Sequence, residues 1–282
     1  MTPFKRDIKD HWRVRYNKNG YPHVQQGFII PPDRMEEFDP FLIMAEDWFK
    51  RGTFSDHPHR GFQTITYVID GRLEHSDNAG GYSVLDAGDV QYMNAGAGAI
   101  HAEEAVDDDL IHTLQLWLNL PKSKKNTPAS YQNAYAEDAA EVEIDGGRLR
   151  VYSGDIAGVK GPIDSVVPFT MTEISLQAGA AYTHRIPADH TAFLYVLAGE
   201  IKAGESKTKL AKTDAALLTK SGTGDSEFSI TADTRAKLLV YSAEPIKEEV
   251  VARGPFVMNT MEEIQEAYAD FRAGKFGAPS QR

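Results

Sequence analysis

The sequence contains no cysteine, which excludes disulfides, thiolate metal sites, iron–sulfur clusters and a Cys nucleophile, and leaves any metal to His, carboxylate or water. It also has no long apolar run. Its most apolar stretches, such as Ala192–Ala198, fall far short of the roughly 20 residues that cross a bilayer. Residues 1–20 mix Lys5, Arg6, Asp7, Lys9 and Asp10 with isolated apolar side chains, so no export signal is visible. A soluble, cytoplasmic protein with no membrane partner is expected. Positive charge is the third shortage: 30 Lys and Arg against 41 Asp and Glu leave a net charge of −11, which argues against direct binding of nucleic acid.

What is present suits ordinary globular folding. At 282 residues the chain can build about two domains, and an apolar content of 41% can fill their cores. From Phe54 to Leu120 short β-rich runs alternate with turn chemistry: Gly61–Ile69, Tyr82–Leu85, Val90–Met93, Ala99–Glu103 and Leu110–Leu120. This is the pattern of a sandwich or barrel rather than of βαβ units. Asp70-Gly71 is placed as a tight hairpin turn, and Asn19-Gly20 predicts another between Trp12–Tyr16 and His23–Ile30.

Lys122, Lys124 and Lys125 lie in a Pro-containing stretch, 121–133, that reads as an exposed, solvated connection. A domain boundary near residue 140 follows, dividing the chain into 1–140 and 141–282. The second half repeats the style of the first at Arg148–Ser153, Thr170–Leu176, Phe193–Leu197, Ala215–Thr219 and Lys237–Ser242. It also repeats letters, since Tyr67–Leu73 aligns with Tyr195–Ile201 at an offset of 128. Duplication of one β-barrel is the economical explanation. Near the end, Thr260 and Glu263 form a capping box, Met261, Ile264, Tyr268 and Phe271 share a helical face, and Gly274 suits the C′ position. A helix over about 260–273, packed on a barrel, is expected.

The nine histidines include two short patterns, His57-Pro58-His59 and His101-Ala102-Glu103. On a strand, i and i+2 face the same side. Neighbouring strands about 4.8 Å apart would let four donors converge inside a barrel. Any one of these residues alone reads most simply as a solvated or hydrogen-bonded side chain; the two same-face pairs together argue for a metal. Three imidazoles and a carboxylate fit Fe(II), Mn(II), Ni(II), Cu(II) or Zn(II) rather than Ca(II) or Mg(II). Four ligands on an octahedral ion leave two positions for water, O₂ or a chelating substrate.

The stretches Asp56–Phe62, Gly88–Met93, Ala95-Gly96, His101–Glu103, Leu114–Trp117, Asn119–Pro121, Gly254–Thr260 and Phe271–Gly274 resemble the pirin family, in order, from about Phe38 to Gly277. The resemblance implies an all-β fold of two tandem cupin barrels, a bicupin, with a short C-terminal helix. It implies one metal, usually iron and so Fe(II) first, in the N-terminal barrel at His57, His59, His101 and Glu103. It implies quercetin 2,3-dioxygenase activity on a flavonol-like substrate with O₂, with Glu103 as ligand or as general base, and a monomer. The other function it implies is a redox-responsive co-regulator acting through a protein partner. Two departures stand out: Ala102 where the family often has Ser, and a second acid, Glu104, which strand alternation turns away from the metal.

The offset of 128 sets Arg185 and Pro187 opposite His57 and His59, so the second barrel is not expected to bind metal. His184 and His190 then read as surface or hydrogen-bonded residues. His75 is expected to face solvent. His112 and Gln115 are candidates to orient a ligand imidazole or a substrate; His112 shares parity with the apolar Leu114, Leu116 and Leu118, and Gln115 has the opposite parity.

Overall fold

A computed structural model of the chain describes residues 2–78 and 80–278. Its strands form two barrels with one plan. Among the described residues, the N-terminal barrel sets a seven-stranded sheet, in the order Ser130–Ala134, Val90–Asn94, Phe62–Asp70, Ile111–Asn119, Phe41–Phe49, His23–Ile30 and Tyr16–Lys18, with a four-stranded one. The smaller sheet runs Phe54–His59, Ala99–Ala105, Leu73–Asp77, Tyr82–Leu85. The C-terminal barrel repeats this order with Ile8–Arg13, Asp214–Leu218, Thr191–Ala198, Ala236–Ala243, Phe169–Leu176, Gly147–Ser153 and Ala140–Ile144. Its smaller sheet holds Ala181–Pro187, Asp225–Ala232, Glu200–Ala203 and Thr208–Ala211, extended by Phe4–Lys5.

The two compact units are Met1–Arg15 with Asp138–Pro245, and Tyr16–Glu137 with Ile246–Arg282. A cut near residue 140 is therefore incomplete, because each terminus completes the other half's barrel. Ile8–Arg13 pairs with Asp214–Leu218 and Phe4–Lys5 runs parallel to Asp225–Ala232. Conversely, the Met261–Arg272 helix belongs with the N-terminal barrel: Ile264 and Ala267 pack with Ile100, Phe256, Met258 and Phe276. Its capping box is formed as expected, while Met261, at the first helical position, is 42% exposed.

Two turns differ from expectation. Asn19-Gly20 does join a hairpin, but its first strand is Tyr16–Lys18. Asp70-Gly71 carries the chain from the larger sheet to the smaller one rather than closing a hairpin. The repeated module has the same corner at Gly199, where φ is +77° and a Cβ would lie 2.2 Å from the Arg235 carbonyl oxygen; only glycine fits there without displacement.

Alternation along the central strands decides what fills each barrel. On Phe62–Asp70, Thr66 and Val68 face inward. Val68 joins Phe49, Leu73, Leu85, Ala105 and Ile111 in an apolar plug at one end, and Thr66 opens a polar middle. In the C-terminal barrel the interior is apolar almost throughout, with Ile174, Ile186, Leu194, Ile201, Phe228, Ile230, Leu238 and Val240 in one cluster.

Candidate metal centre

Ala99–Ala105 lies between two neighbours in the smaller sheet. His101 is paired with His57 on one side and Asp77 on the other, and Glu103 with Phe54 and His75. Between these pairs the edge strand uses three steps, Phe54 to His57, where its partner uses two, His101 to Glu103. The extra residue is a β-bulge at Ser55-Asp56, which re-aims the strand so that both Phe54 and His57 face inward. The ligand atoms of His57, His59 and His101 then lie within 4.8 Å of one another. Ring centroids are 4.4 Å apart for His57 and His101, 4.7 Å for His57 and His59, and 5.0 Å for His59 and His101.

The chemistry of these three rings fits a metal with nitrogen ligands. His59 and His101 are buried, and neither nitrogen of either ring has a hydrogen-bond partner; the backbone at Pro255 comes near His59 without hydrogen-bond geometry. Burial, and after it the neighbouring imidazoles, holds both rings well below the usual histidine range. Both are therefore neutral, as a metal ligand must be. Orphaned buried polar atoms are costly, about 1–3 kcal/mol each, and a cation between the rings would satisfy the lone-pair nitrogen of each. His57, partly exposed, donates from Nδ1 to the Ser55 carbonyl at 2.8 Å. This leaves the Nε2 lone pair for a metal.

Glu103, the fourth expected ligand, stands outside that close group. Its Oε1 accepts from Thr66 Oγ1 at 2.8 Å and its Oε2 from Gln115 Nε2 at 2.5 Å. Each oxygen keeps a further lone pair. Beside it a small chamber of about 10 Å³ is lined by Asp47, Thr66, Glu103, Thr113 and Gln115 together with three apolar side chains, room for about one water. Trp117 closes the neighbouring wall, stacked on Phe62 at 4.2 Å and edge-on to His59 at 5.5 Å.

Several other expectations change. Gln115 faces the barrel interior and His112 the opposite side, where its Nε2 lies 2.7 Å from Glu46 and its ring stacks on Trp48 at 3.9 Å. The apolar parity of His112 marked a packed face, but not the face that holds the site. His75 is fully buried rather than solvent-facing; its ring lies 5.4 Å from that of His101 and 5.2 Å from that of Tyr131. Lys125 is likewise buried, its ammonium donating to the carbonyls of Gly61 and Val257 and to Asn119 Oδ1 at 2.8–2.9 Å.

In the C-terminal barrel the register shows His184 paired with Phe228 and Ile186 with Ser226. The pairing of Leu73 with Ala105 recurs as Ile201 with Ala232. The offset there is 127, so the counterparts of His57, His59, His101 and Glu103 are His184, Ile186, Phe228 and Ile230, not Arg185 and Pro187. The connection to the next strand accounts for the difference: from His59 to Thr66 is seven residues, and from Ile186 to Leu194 is eight; the Ser55-Asp56 bulge, absent from the unbroken Ala181–Pro187 ladder, lies before His57. His184 is buried without a hydrogen bond, contrary to its expected surface position. Among the described residues, the His57, His59 and His101 group is the one cluster with metal-binding spacing.

The pirin family profile matches residues 25–118 and that of the pirin C-terminal cupin domain residues 171–277. The chain belongs to the pirin family. It is 36% identical to mouse pirin over 248 residues, covering 86% of this chain and 84% of that one. Among solved structures, a quercetin 2,3-dioxygenase from Acinetobacter baumannii superposes with a TM-score of 0.87 at 32% identity, covering 97% and 99% of the two chains. A Geobacillus kaustophilus protein superposes at 0.86 with 38% identity, covering 88% and 100%. The pirin bicupin architecture agrees with the two barrels described above.

Proposed function

We propose that the chain is a metal-dependent dioxygenase that opens a quercetin-like flavonol with O₂. The observation that carries this reading is the set of three inward imidazoles, two of them buried without any hydrogen-bond partner, beside a carboxylate held by two side chains. The resemblance in sequence and fold to a bacterial quercetin 2,3-dioxygenase supports the substrate class.

His57, His59 and His101 would hold a divalent transition metal, iron(II) first, with Glu103 as fourth ligand or as base. Bound there, the metal would supply Lewis acidity at the flavonol 3-oxygen and a place for O₂. Thr66 and Gln115 orient Glu103, whose remaining lone pairs suit it to accept the 3-hydroxyl proton. Conversion of the flavonol and O₂ to an opened ester and carbon monoxide consumes no net proton, so Glu103 returns it to the product. The chamber beside Glu103 is too small for a flavonol, and the partial exposure of His57 supports an approach of the substrate from that side. Trp117, backed by the buried Phe62, offers an aromatic face to a planar ring.

The test is aerobic quercetin turnover with carbon monoxide detection, by protein reconstituted anaerobically with Fe(II), beside His101→Ala. Turnover by the wild type that vanishes in the variant is expected. Metal bound without turnover would overturn the dioxygenase reading and turn the search to a protein partner.

A further inference from the structure

The triad histidines are not held alike. His59 and His101 are fixed by burial, whereas His57 is partly exposed on an edge strand, at the end of a bulge. Something other than packing must aim it. We propose that Glu104 is a positioning residue for the metal centre, acting through the Ser55-Asp56 bulge to fix the orientation of His57. This rests on the reading of the triad as a metal site.

Three hydrogen bonds form the chain of control. Glu104 projects to the opposite side from Glu103 and accepts from Ser55 Oγ at 3.0 Å and from the Gly52 amide at 2.6 Å. One carboxylate thereby ties both ends of the 52–55 turn to the strand that carries His101. The carbonyl of the same Ser55 receives Nδ1–H of His57 at 2.8 Å. With that bond formed the ring has one tautomer, and Nε2 is the nitrogen left to share a metal with the other two imidazoles. Outer partners of this kind set both the tautomer and the angle of a ligating imidazole.

The C-terminal barrel provides an independent observation. At offset 127 its counterpart of Glu104 is Thr231, paired with Ala181 in an unbroken ladder. The barrel that lacks the imidazole triad lacks both the bulge and the acid that pins it. A bulge leaves a residue unpaired and the ladder locally disrupted, so a side chain that restores hydrogen bonds at that point stabilises one geometry among several. Glu104 therefore acts on the aim of His57 rather than on the barrel, which closes without such a clamp in its second copy.

The experiment uses the full chain freed of metal, with Ni(II) alone as the probe, in wild type, Glu104→Ala, Glu104→Gln, Ser55→Ala and His101→Ala. Titration calorimetry reads Ni(II) affinity, and ¹⁵N shifts of the His57 ring in the metal-free protein read its tautomer. Glu104→Ala is expected to bind Ni(II) about 10–100-fold more weakly, with His57 losing its single Nδ1–H form and the melting temperature of the metal-free protein unchanged. Glu104→Gln, whose amide oxygen still accepts, is expected to recover part of the affinity, and Ser55→Ala to lose less than Glu104→Ala. Wild-type affinity in Glu104→Ala overturns the proposal, as does weaker binding with the His57 tautomer unchanged. If Glu104→Ala does not fold, Ser55→Ala reads the same clamp with the carboxylate in place, and wild-type affinity and tautomer there overturn it. Undiminished Ni(II) binding by His101→Ala would instead overturn the triad as the metal site, a failure distinct from that of the clamp.

Discussion

The interior of the N-terminal barrel presents His57, His59, His101, Glu103, Thr66 and Gln115, where the register of the C-terminal barrel presents His184, Ile186, Phe228, Ile230, Leu194 and Val240. Strand order is shared, so these strands need no polar centre in order to close. The second barrel shows what the fold prefers when it has only to be stable: one apolar cluster running through the middle. The first gives up that packing for unpaired imidazoles and a buried carboxylate, each of which costs free energy unless a partner arrives. A scaffold that tolerates both fillings locates function in the site and not in the fold.

The sharpest way to break this comparison is at Glu103, whose counterpart is Ile230. If the carboxylate is there for chemistry, Glu103→Gln keeps the shape and the metal but lowers kcat by about 10²–10⁴-fold, the usual worth of general-base catalysis. Metal content by mass spectrometry and quercetin turnover are measured on the same samples. Full turnover with full metal occupancy would remove the base role and leave Glu103 as a ligand or as a partner for Thr66 and Gln115.

A smaller effect distinguishes how the two barrels are tied to their terminal segments. Each uses a buried cation surrounded by neutral oxygens: Arg6, 0% exposed, donates to the carbonyls of Pro187, His190 and Thr219 and to Ser226 Oγ. Lys125 binds Val257 of the C-terminal segment together with Gly61 and Asn119. Burial pushes the Lys125 ammonium down to about 8, and the Arg6 guanidinium down to about 10. Lys125→Met leaves three buried oxygens without their donor and is expected to cost about 2–4 kcal/mol in urea unfolding at pH 7. A loss below about 0.5 kcal/mol would show that the cation is not what holds that segment.

The i, i+2 histidine pairs, the duplicated Tyr67–Leu73 module and the capping box at Thr260 could be read from the sequence because each is a local pattern with a fixed period. His75 and Lys125 could not, since each is buried by residues distant in sequence: Glu103 pairs across to His75, and Val257 reaches Lys125 from 132 residues away. The exchange of termini was hidden for the same reason, as strand partners leave no mark in a single chain's periodicity. The offset of 128 failed at His184 because the connection leading to the central strand is one residue longer in the second barrel, and a one-residue slip reverses every side chain. The alternation rule did turn Glu104 away from the site correctly, but its reach to Ser55 and Gly52 depended on a turn that the sequence does not specify.

His184 gives the smallest and most pH-dependent effect. It keeps the imidazole of the first barrel's His57, yet it is enclosed by apolar neighbours, with the Tyr182 ring 5.8 Å away. Burial, and secondarily the Arg6 charge, lowers it to about 4 from the model-peptide 6.5. Between those values the unfolded chain binds a proton that the folded chain refuses, so stability is whole above pH 6.5 and drains as the pH falls toward 4. The loss is about 1 kcal/mol by pH 5.5 and about 3 kcal/mol by pH 4. In His184→Leu that loss is absent, and the side chain suits the surrounding Ile and Leu residues. Wild type and variant are therefore expected to unfold at similar urea concentrations at pH 7.5 and to diverge steadily below 6.5, with the variant the more stable. Because the two proteins are compared at each pH, the other titrating groups cancel. Parallel curves down to pH 4 would mean that His184 acquires its proton without leaving the core, and that the second barrel's centre is more polar in solution than its neighbours suggest.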